Sequence, residues 1–227
     1  GVWAENTIAS DVQAFIAADT PTTVQATSVA LAATDASAIA AVAGSASLAA
    51  GIGTVGVAIS VGVTLARNTI TSDVAAYVAN VAVTTTAGAI TLAATTSAHI
   101  TVIAAAASVA VAGGLVGVAV SGAGADATNV IRTRTNASAD GGSLTSRGGG
   151  VTLTATSTAT ITALVGAVSA AVGAGFVGVG VAMGTSLARN VIGWAPAAVE
   201  GTVLESDDGE QASDFDLVAG TKVRIST

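Results

Sequence analysis

One unit of sequence recurs every 61 residues, and this recurrence restricts the folds available to the chain. The asparagines that close the unit are Asn68, Asn129 and Asn190, and 129 − 68 = 190 − 129 = 61. The Val-Gly-Val tripeptides that precede them begin at Val55, Val116 and Val177. A fixed period over three copies indicates one structural unit stacked several times, because each unit can bury its apolar faces only against its neighbours.

Within each unit the side chains alternate with a period of two. The segment from Thr54 to Asn68 places bulky residues on one side and small ones on the other. This alternation predicts a β-strand rather than a helix. The small side would let another layer of backbone approach closely. The bulky side chains are Val55, Val57, Ile59, Val61, Val63 and Leu65, and the small ones are Gly56, Ala58, Ser60, Gly62, Thr64 and Ala66.

A second strand element occupies residues 24–49, 85–111 and 147–171. In its third copy every second residue from Thr152 to Thr162 is threonine, and the residues between them are mostly apolar. This pattern predicts a strand with a wet threonine face and an apolar core face. Regular threonine ranks can also order water, as in ice-binding solenoids, so water binding is a further hypothesis for this face.

These patterns predict an all-β fold, a parallel β-solenoid built from 61-residue repeats, with short helices possible on one side. Ser72 and Asp73, for example, could cap a short helix instead of continuing a strand. One unit could form two or more coils or one flattened coil, and the sequence leaves both open. The predicted segments are the end of a preceding repeat (1–23), a repeat (24–84), a divergent repeat (85–146), a partial repeat (147–193) and an acidic insertion or next module (194–227).

Composition excludes several functional classes. The chain has no cysteine, so disulfides, thiolate metal sites and cysteine nucleophiles are excluded. Its formal net charge is −7, and no basic stripe is present to neutralise phosphates, so we expect no nucleic-acid partner.

The high apolar content raises the question of membrane insertion. The mean hydropathy is +0.76, and the run from Ala36 to Ala66 carries no charge. That run is long enough to cross a bilayer as a helix. Its period of two, its many Gly and Ala residues and the missing basic flank argue against a helix. A membrane-inserted segment therefore stays the second alternative.

Few residues have the chemistry of an active site, and we predict that the chain is not an enzyme. His99 is the one histidine, and no constellation of partner residues accompanies it in the sequence. We interpret it as a surface or turn residue. An acidic cluster near the C-terminus could supply oxygen ligands to calcium, although its spacing is not that of an EF-hand loop. Its members are Asp207, Asp208, Glu210, Asp214 and Asp216. No other cofactor is predicted.

The repeat resembles known sequences. The elements VGVAISVGVTLARNTI, SDVAAYV and LARNVIGW are similar to the repeat regions of giant bacterial surface proteins, the filamentous-haemagglutinin-like and leukotoxin-type adhesins. The resemblance covers roughly residues 4–193. It implies secretion, a β-solenoid stalk and a role in attachment, and it supplies no catalytic residues.

The function predicted from these features is structural or adhesive. We expect a stiff stalk segment of a very large secreted or cell-surface bacterial protein, of which this chain is a piece. Its expected partners are neighbouring repeats of the same chain, other cells or surface glycans, and further copies joined end to end through exposed terminal coils. The alternative is a polysaccharide-binding or polysaccharide-acting solenoid.

Overall fold

The computed structural model describes residues 1–193 and, beyond them, the backbone of residues 204–205 and 223–224. The described residues contain strands and no helix. The chain divides into two compact units, Gly1–Ile192 and Gly193–Thr227, and β8 pairs with β9 in the second. The strands are β1 (Val2–Ala26), β2 (Val29–Asp35), β3 (Ala38–Ile52), β4 (Val55–Thr85), β5 (Ile90–Asp140), β6 (Ser143–Ser146), β7 (Val151–Ile192), β8 (Leu204–Glu205) and β9 (Val223–Arg224).

The first unit is a stack of parallel strands in register with the sequence repeat. β4 pairs with β5 so that Asn68 lies beside Asn129, and β5 pairs with β7 so that Asn129 lies beside Asn190. β2 and β3 pair with the first half of β5 at the same offset. Hydrogen-bonded neighbours in such a stack are about 4.8 Å apart. The parallel solenoid predicted from the sequence is therefore confirmed, and the helices considered for one side are absent from the described residues.

Each repeat forms one flattened coil, which answers the question that the sequence left open. The chain runs out along one arm, turns at residues 53–54 and comes back along a second arm. Side chains from the two arms meet inside the coil. Ser47 Oγ lies 2.8 Å from Ser60 Oγ, and Ser72 donates to Asp35 Oδ2 at 2.7 Å.

We name the parts of the coils by these arms. The outgoing arms are residues 29–52 in the first coil, 90–113 in the middle coil and 151–174 in the third coil. The return arms are residues 55–79, 116–140 and 177–192, and residues 2–17 of β1 form a further return arm beside the first coil. An arm of this length spans about 80 Å at 3.3 Å per residue, so each coil is long and narrow.

The corner after the return arm needs backbone conformations that few residues adopt. Asn80 has φ 56° and Gly141, in the middle coil, has φ 64°. Glycine and asparagine are the residues that enter this left-handed region most readily. The corner turns the chain into a short third face, residues 81–85 and 143–146, before the next outgoing arm begins.

The return arm of β1 is offset by 62 residues from its partner β4, whereas β4 is offset by 61 from β5. Read from the sequence, this difference indicates that one residue was gained or lost before Leu31. The structure shows two changes of opposite sign. The offset is 79 − 17 = 62 before the corner, 81 − 22 = 59 after it and 90 − 29 = 61 on the outgoing arm. A longer corner in β1 is therefore partly offset by a shorter turn at residues 27–28.

The interior changes along the coil. Near the third face it is filled by large apolar side chains such as Val74, Val83 and Leu92, all fully buried. Toward the turn at residues 53–54 it narrows to alanine and glycine, and a Cβ on Gly56 would lie 2.5 Å from the Gly113 carbonyl oxygen. The small side of the Thr54–Asn68 segment faces inward, where opposing backbones approach closely. The threonine rank from Thr152 to Thr162 lies outside.

We predict that the interior at Gly117 cannot accept a methyl group. A Cβ there would lie 2.6 Å from the Ala174 carbonyl oxygen, whereas a Cβ on Gly122 would meet nothing within 4 Å. Gly117→Ala should lower the free energy of unfolding by about 1–3 kcal/mol through overpacking. Gly122→Ala, on the outer side of the same arm, should change it by less than about 0.5 kcal/mol. Chemical denaturation followed by circular dichroism measures both, and equal effects would contradict this packing.

Candidate functional site

A ladder of asparagines runs through the interior. Asn6 donates to Asn68 at 2.9 Å, Asn68 to Asn129 at 2.8 Å and Asn129 to Asn190 at 2.9 Å. Asn68 and Asn129 are fully buried. The side-chain amides of Asn68 and Asn129 therefore each donate one N–H to the asparagine of the next coil and accept a hydrogen bond from that of the preceding coil. A slip in register would leave a buried amide without partners, so the ladder specifies the stacking order.

Serines form a second interior network nearer the turn at residues 53–54. Ser108 donates to Ser60 at 2.9 Å, and Ser121 donates to Ser108 at 2.9 Å. No buried side-chain nitrogen or oxygen lacks a hydrogen bond in the described part of the chain. These hydroxyls are occupied in holding the two arms together, and none is presented to a substrate.

The buried carboxylate of Asp35 is also occupied by neighbours within the coil. It accepts hydrogen bonds from Ser37 at 2.9 and 3.0 Å and from Ser72 at 2.7 Å. Thr96 takes its place in the middle coil. Acid–base chemistry with two carboxylates needs a second acid facing the first. The site around Asp35 is therefore a structural bridge between the arms.

The residues considered for chemistry do not converge. His99 is exposed, and its Nε2 lies 2.7 Å from Thr101 Oγ1. Among the described residues no three His, Asp or Glu side chains are placed to hold a metal ion. The acidic cluster predicted for calcium lies outside the described residues, so that site stays a prediction. Its members are Asp207, Asp208, Glu210, Asp214 and Asp216.

The outer surface carries the feature that the interior does not explain. We call the part of each coil nearest the turn at residues 53–54 the fin, and it comprises residues 42–64, 103–125 and 164–186. No residue in these three ranges is charged. The outward side chains on the arms of the fin are apolar except Thr185, with large residues interspersed with Gly and Ala. In the middle coil, which has a neighbour on each side, Ile103 is 41%, Val111 40% and Leu115 64% exposed. The fin therefore presents an apolar surface to its surroundings.

The polarity of the fin is inverted relative to an ordinary protein. In its first two copies every hydroxyl lies inside except that of Thr54, which is at the turn. The branched residues of the return arm, Val55 to Val63 at every second position, lie outside. Close to the turn the inside is too narrow for them, because opposing backbones occupy the space. Farther from the turn the inside of the fin has room for Thr64 and Val165.

Sequence reasoning identified the bulky rank and the small rank but did not predict which faced solvent. The small side carries Ser60 and Thr64 beside glycines, and the bulky side from Val55 to Leu65 has no polar residue. Because Ser and Thr are mostly exposed in proteins, this pattern alone does not place the branched side chains outside.

Two aromatic contacts also lie on the outer surface. The rings of Phe15 and Tyr77 stack with centroids 5.1 Å apart, and Tyr77 donates to Gln13 Oε1 at 3.2 Å. The Arg67 guanidinium lies over the Trp3 ring, 5.8 Å from its centroid. Both pairs lie on return arms, outside the fin.

Comparison with known proteins gives no match to a family model, to a curated protein or to a solved structure. Within the described residues, no helix has the length and apolar character needed to cross a membrane.

We predict that the asparagine ladder contributes measurably to stability. Asn129→Ala should lower the free energy of unfolding by about 1–3 kcal/mol, because the Asn68 amide then loses its buried acceptor. Asn136→Ala removes an exposed amide from the same return arm and should change it by less than about 0.5 kcal/mol. Thermal and chemical unfolding of the two variants would measure the difference, and an unchanged Asn129→Ala variant would show that the ladder is dispensable.

Proposed function

We propose that this chain is a structural and adhesive repeat segment of a very large secreted or cell-surface bacterial protein. In this role it acts as a stiff stalk for attachment or cell contact. The observation that carries the proposal is the parallel pairing of whole coils along one axis at one constant offset, from Ile90 beside Val151 to Ile131 beside Ile192, interrupted only at the turn. The resemblance of the repeat to adhesin repeats supports the same function.

The stiffness follows from the direction of the hydrogen bonds. They run along the stack axis, so bending or stretching the stalk strains a whole row of them together. The asparagine ladder runs parallel to this row and adds side-chain bonds between the same coils. Such a stalk needs no catalytic group, and its working surface is the outside of the coils.

A polysaccharide-binding solenoid is the alternative function, and one observation favours it. The exposed Phe15 ring stacks on the half-buried Tyr77 ring beside Gln13, whose amide donates to Asp11 at 2.9 Å. An aromatic ring with neighbouring amide and carboxylate groups suits a sugar ring. Saturable binding on a glycan array that is lost with Tyr77→Ala and kept with Asn136→Ala would favour this alternative.

The proposed role predicts that the segment is exposed on cells. Fab fragments raised against the folded chain should label intact cells of the source bacterium and reduce their attachment to surfaces. Fab fragments against a cytoplasmic protein serve as the control and should do neither. Labelling only after the cells are broken open would contradict a surface stalk.

We also predict that isolated copies of the chain associate end to end. Within the described residues β1 pairs only with β4, and β7 pairs only with β5, so each end of the stack has an unpaired edge. Such edges recruit further strands. Sedimentation velocity at micromolar concentration should show oligomers, and adding one capping coil to each end should remove them. Assembly of the capped chain to the same extent would exclude edge pairing as the cause.

A further inference from the structure

The fin is apolar on the outward sides of both arms and at the turn that joins them. This arrangement limits the kinds of partner that can cover it. On the outgoing arm of the middle coil the outward residues include Ile103 and Val109, and on its return arm Val118 and Val120. At the turn, Leu115 is 64% and Phe176 is 95% exposed. A partner that covers this surface has to surround the fin rather than lie against one side of it.

The change from polar to apolar occurs at nearly the same level on both arms. Cross-arm contacts pair Ser45 with Thr64 at 2.8 Å and Asp35 with Ser72 at 2.7 Å, so residue 40, midway between 35 and 45, lies opposite residue 68, midway between 64 and 72. On the outgoing arm the last outward polar residues before the fin are Thr101 and Thr162, which lie in register with residue 40. On the return arm the change comes at residues 65–67. The boundaries on the two arms therefore differ by 68 − 67 = 1 to 68 − 65 = 3 residues and face each other across the coil.

The apolar part has the depth of a bilayer's hydrocarbon layer. Ten residue steps from Val42 to Ile52 span about 33 Å at 3.3 Å per residue. The hydrocarbon core of a typical bilayer is about 30 Å thick.

The side chains at the boundary match the headgroup region of a membrane. Glu5, Arg67 and Arg189 lie in one row across the coils, next to the level where the fin begins, so charges of both signs are present. The Trp3 ring lies under the Arg67 guanidinium, and we call this row of charges together with Trp3 the boundary band. Tryptophan and arginine concentrate at membrane interfaces, where an amphipathic ring and a charged group meet both water and lipid. A charge-free fin above a band of mixed charge is complementary to lipid tails above zwitterionic headgroups.

The backbone of the fin is compatible with lipid because its polar groups are paired along the stack. In the middle coil each fin strand lies between two parallel neighbours, β3 and β7 on the outgoing arm and β4 and β7 on the return arm. Unpaired backbone groups are what excludes most open sheets from a bilayer. A stacked fin has such groups only at the ends of the stack.

A second copy of the chain fits the fin less well. One face of the fin, about 33 Å by three coils spaced 4.8 Å apart, has an area on the order of 450 Å². A stable protein interface buries about 800 Å² on each partner. A copy on one face would also leave the other face and the turn exposed.

We propose that the fin inserts into the hydrocarbon layer of a lipid membrane, with the boundary band of Trp3, Glu5, Arg67 and Arg189 at the headgroups. This inference goes beyond the stalk function and does not depend on it, since the stalk's stiffness comes from the stacking alone. It differs from the membrane hypothesis drawn from the sequence, which concerned spanning helices. Here the inserted element is a two-layered sheet with its hydroxyls inside.

Site-specific labelling in phosphatidylcholine vesicles tests the proposal. The chain has no cysteine, so Leu115→Cys at the end of the fin and Ser97→Cys outside it can each carry one environment-sensitive fluorophore. Upon adding vesicles, the label at residue 115 should shift to the blue, be quenched by nitroxides on the lipid chains and lose its accessibility to iodide. The label at residue 97 should stay accessible to iodide.

A matched pair of charge substitutions identifies the fin as the binding surface. Leu48→Asp and Thr34→Asp each add one carboxylate to an outward position of the first outgoing arm, the first within the fin and the second outside it. Leu48→Asp should lower vesicle partitioning, measured by flotation, by at least about tenfold, because a charge in the hydrocarbon layer is costly. Thr34→Asp should leave partitioning unchanged, and both variants should keep the wild-type circular dichroism spectrum.

Three outcomes would overturn the proposal. The wild-type chain could fail to float with the vesicles, or Leu48→Asp could float as well as Thr34→Asp, which would mean that another surface binds lipid. A label at residue 115 that is shielded from iodide without vesicles, in particles of twice the monomer mass, would indicate a second copy on the fin. End-to-end assembly would leave that label accessible, so it cannot be mistaken for this result, and stalk formation is measured separately.

Discussion

Parallel backbone pairing between whole coils is the interaction on which the rest of this structure depends. Each hydrogen bond along the axis requires the residue 61 positions later to arrive at the same place, so the length of every coil is constrained. The corners show how the constraint is met. The extra residues in β1 near its corner are partly compensated by a shorter turn before β2, and the register is restored. The buried asparagine ladder then makes any other register costly, because a shifted Asn129 would lose both partners.

The close approach of the two arms explains the unusual distribution of side chains. Near the turn the backbones are so close that a Cβ at Gly56 or Gly117 would clash with a carbonyl oxygen. Only Gly, Ala and Ser fit inside, and the serines are tolerated because they bond to each other. Valine and isoleucine, which stabilise strands, are therefore placed outside. Full burial of such a side chain contributes about 1.5–3 kcal/mol. Contact with neighbouring coils buries these side chains only in part and so provides only part of this stabilisation. An apolar environment around the fin would provide more of it.

The proposed stalk and the proposed membrane contact use different regions of the same coil. The part of the coil outside the fin, with its large apolar core around Val83 and Leu92 and its outward threonines, has the polarity of a water-exposed protein. The fin has the opposite polarity. A stack built from such coils would be a stiff slab with one polar edge and one apolar edge. Such a slab could lie along a membrane while the polar edge faces other cells.

Much of the fold could be predicted from the sequence, because a repeat and a period of two are local properties. The 61-residue spacing required stacking, and the alternation from Val55 to Leu65 required strands. The asparagines at a constant offset marked the register before any pairing was known. The chemistry was less accessible. The calcium hypothesis concerns residues from Asp207 to Asp216, outside the described part, and His99 is an exposed residue whose role no pattern defines.

What the sequence by itself determined was the stacking: the unit, its register and its strand content follow from spacing and alternation alone. What only the tertiary structure decided was that one repeat makes one flattened coil, and which side of each strand faces in. Alternation separates two faces but does not say which is inside. That depends on the distance between the arms, and the arms meet through contacts such as Ser47 with Ser60 and Asp35 with Ser72. The apolar fin exists because, close to the turn, that distance is too short for its branched side chains.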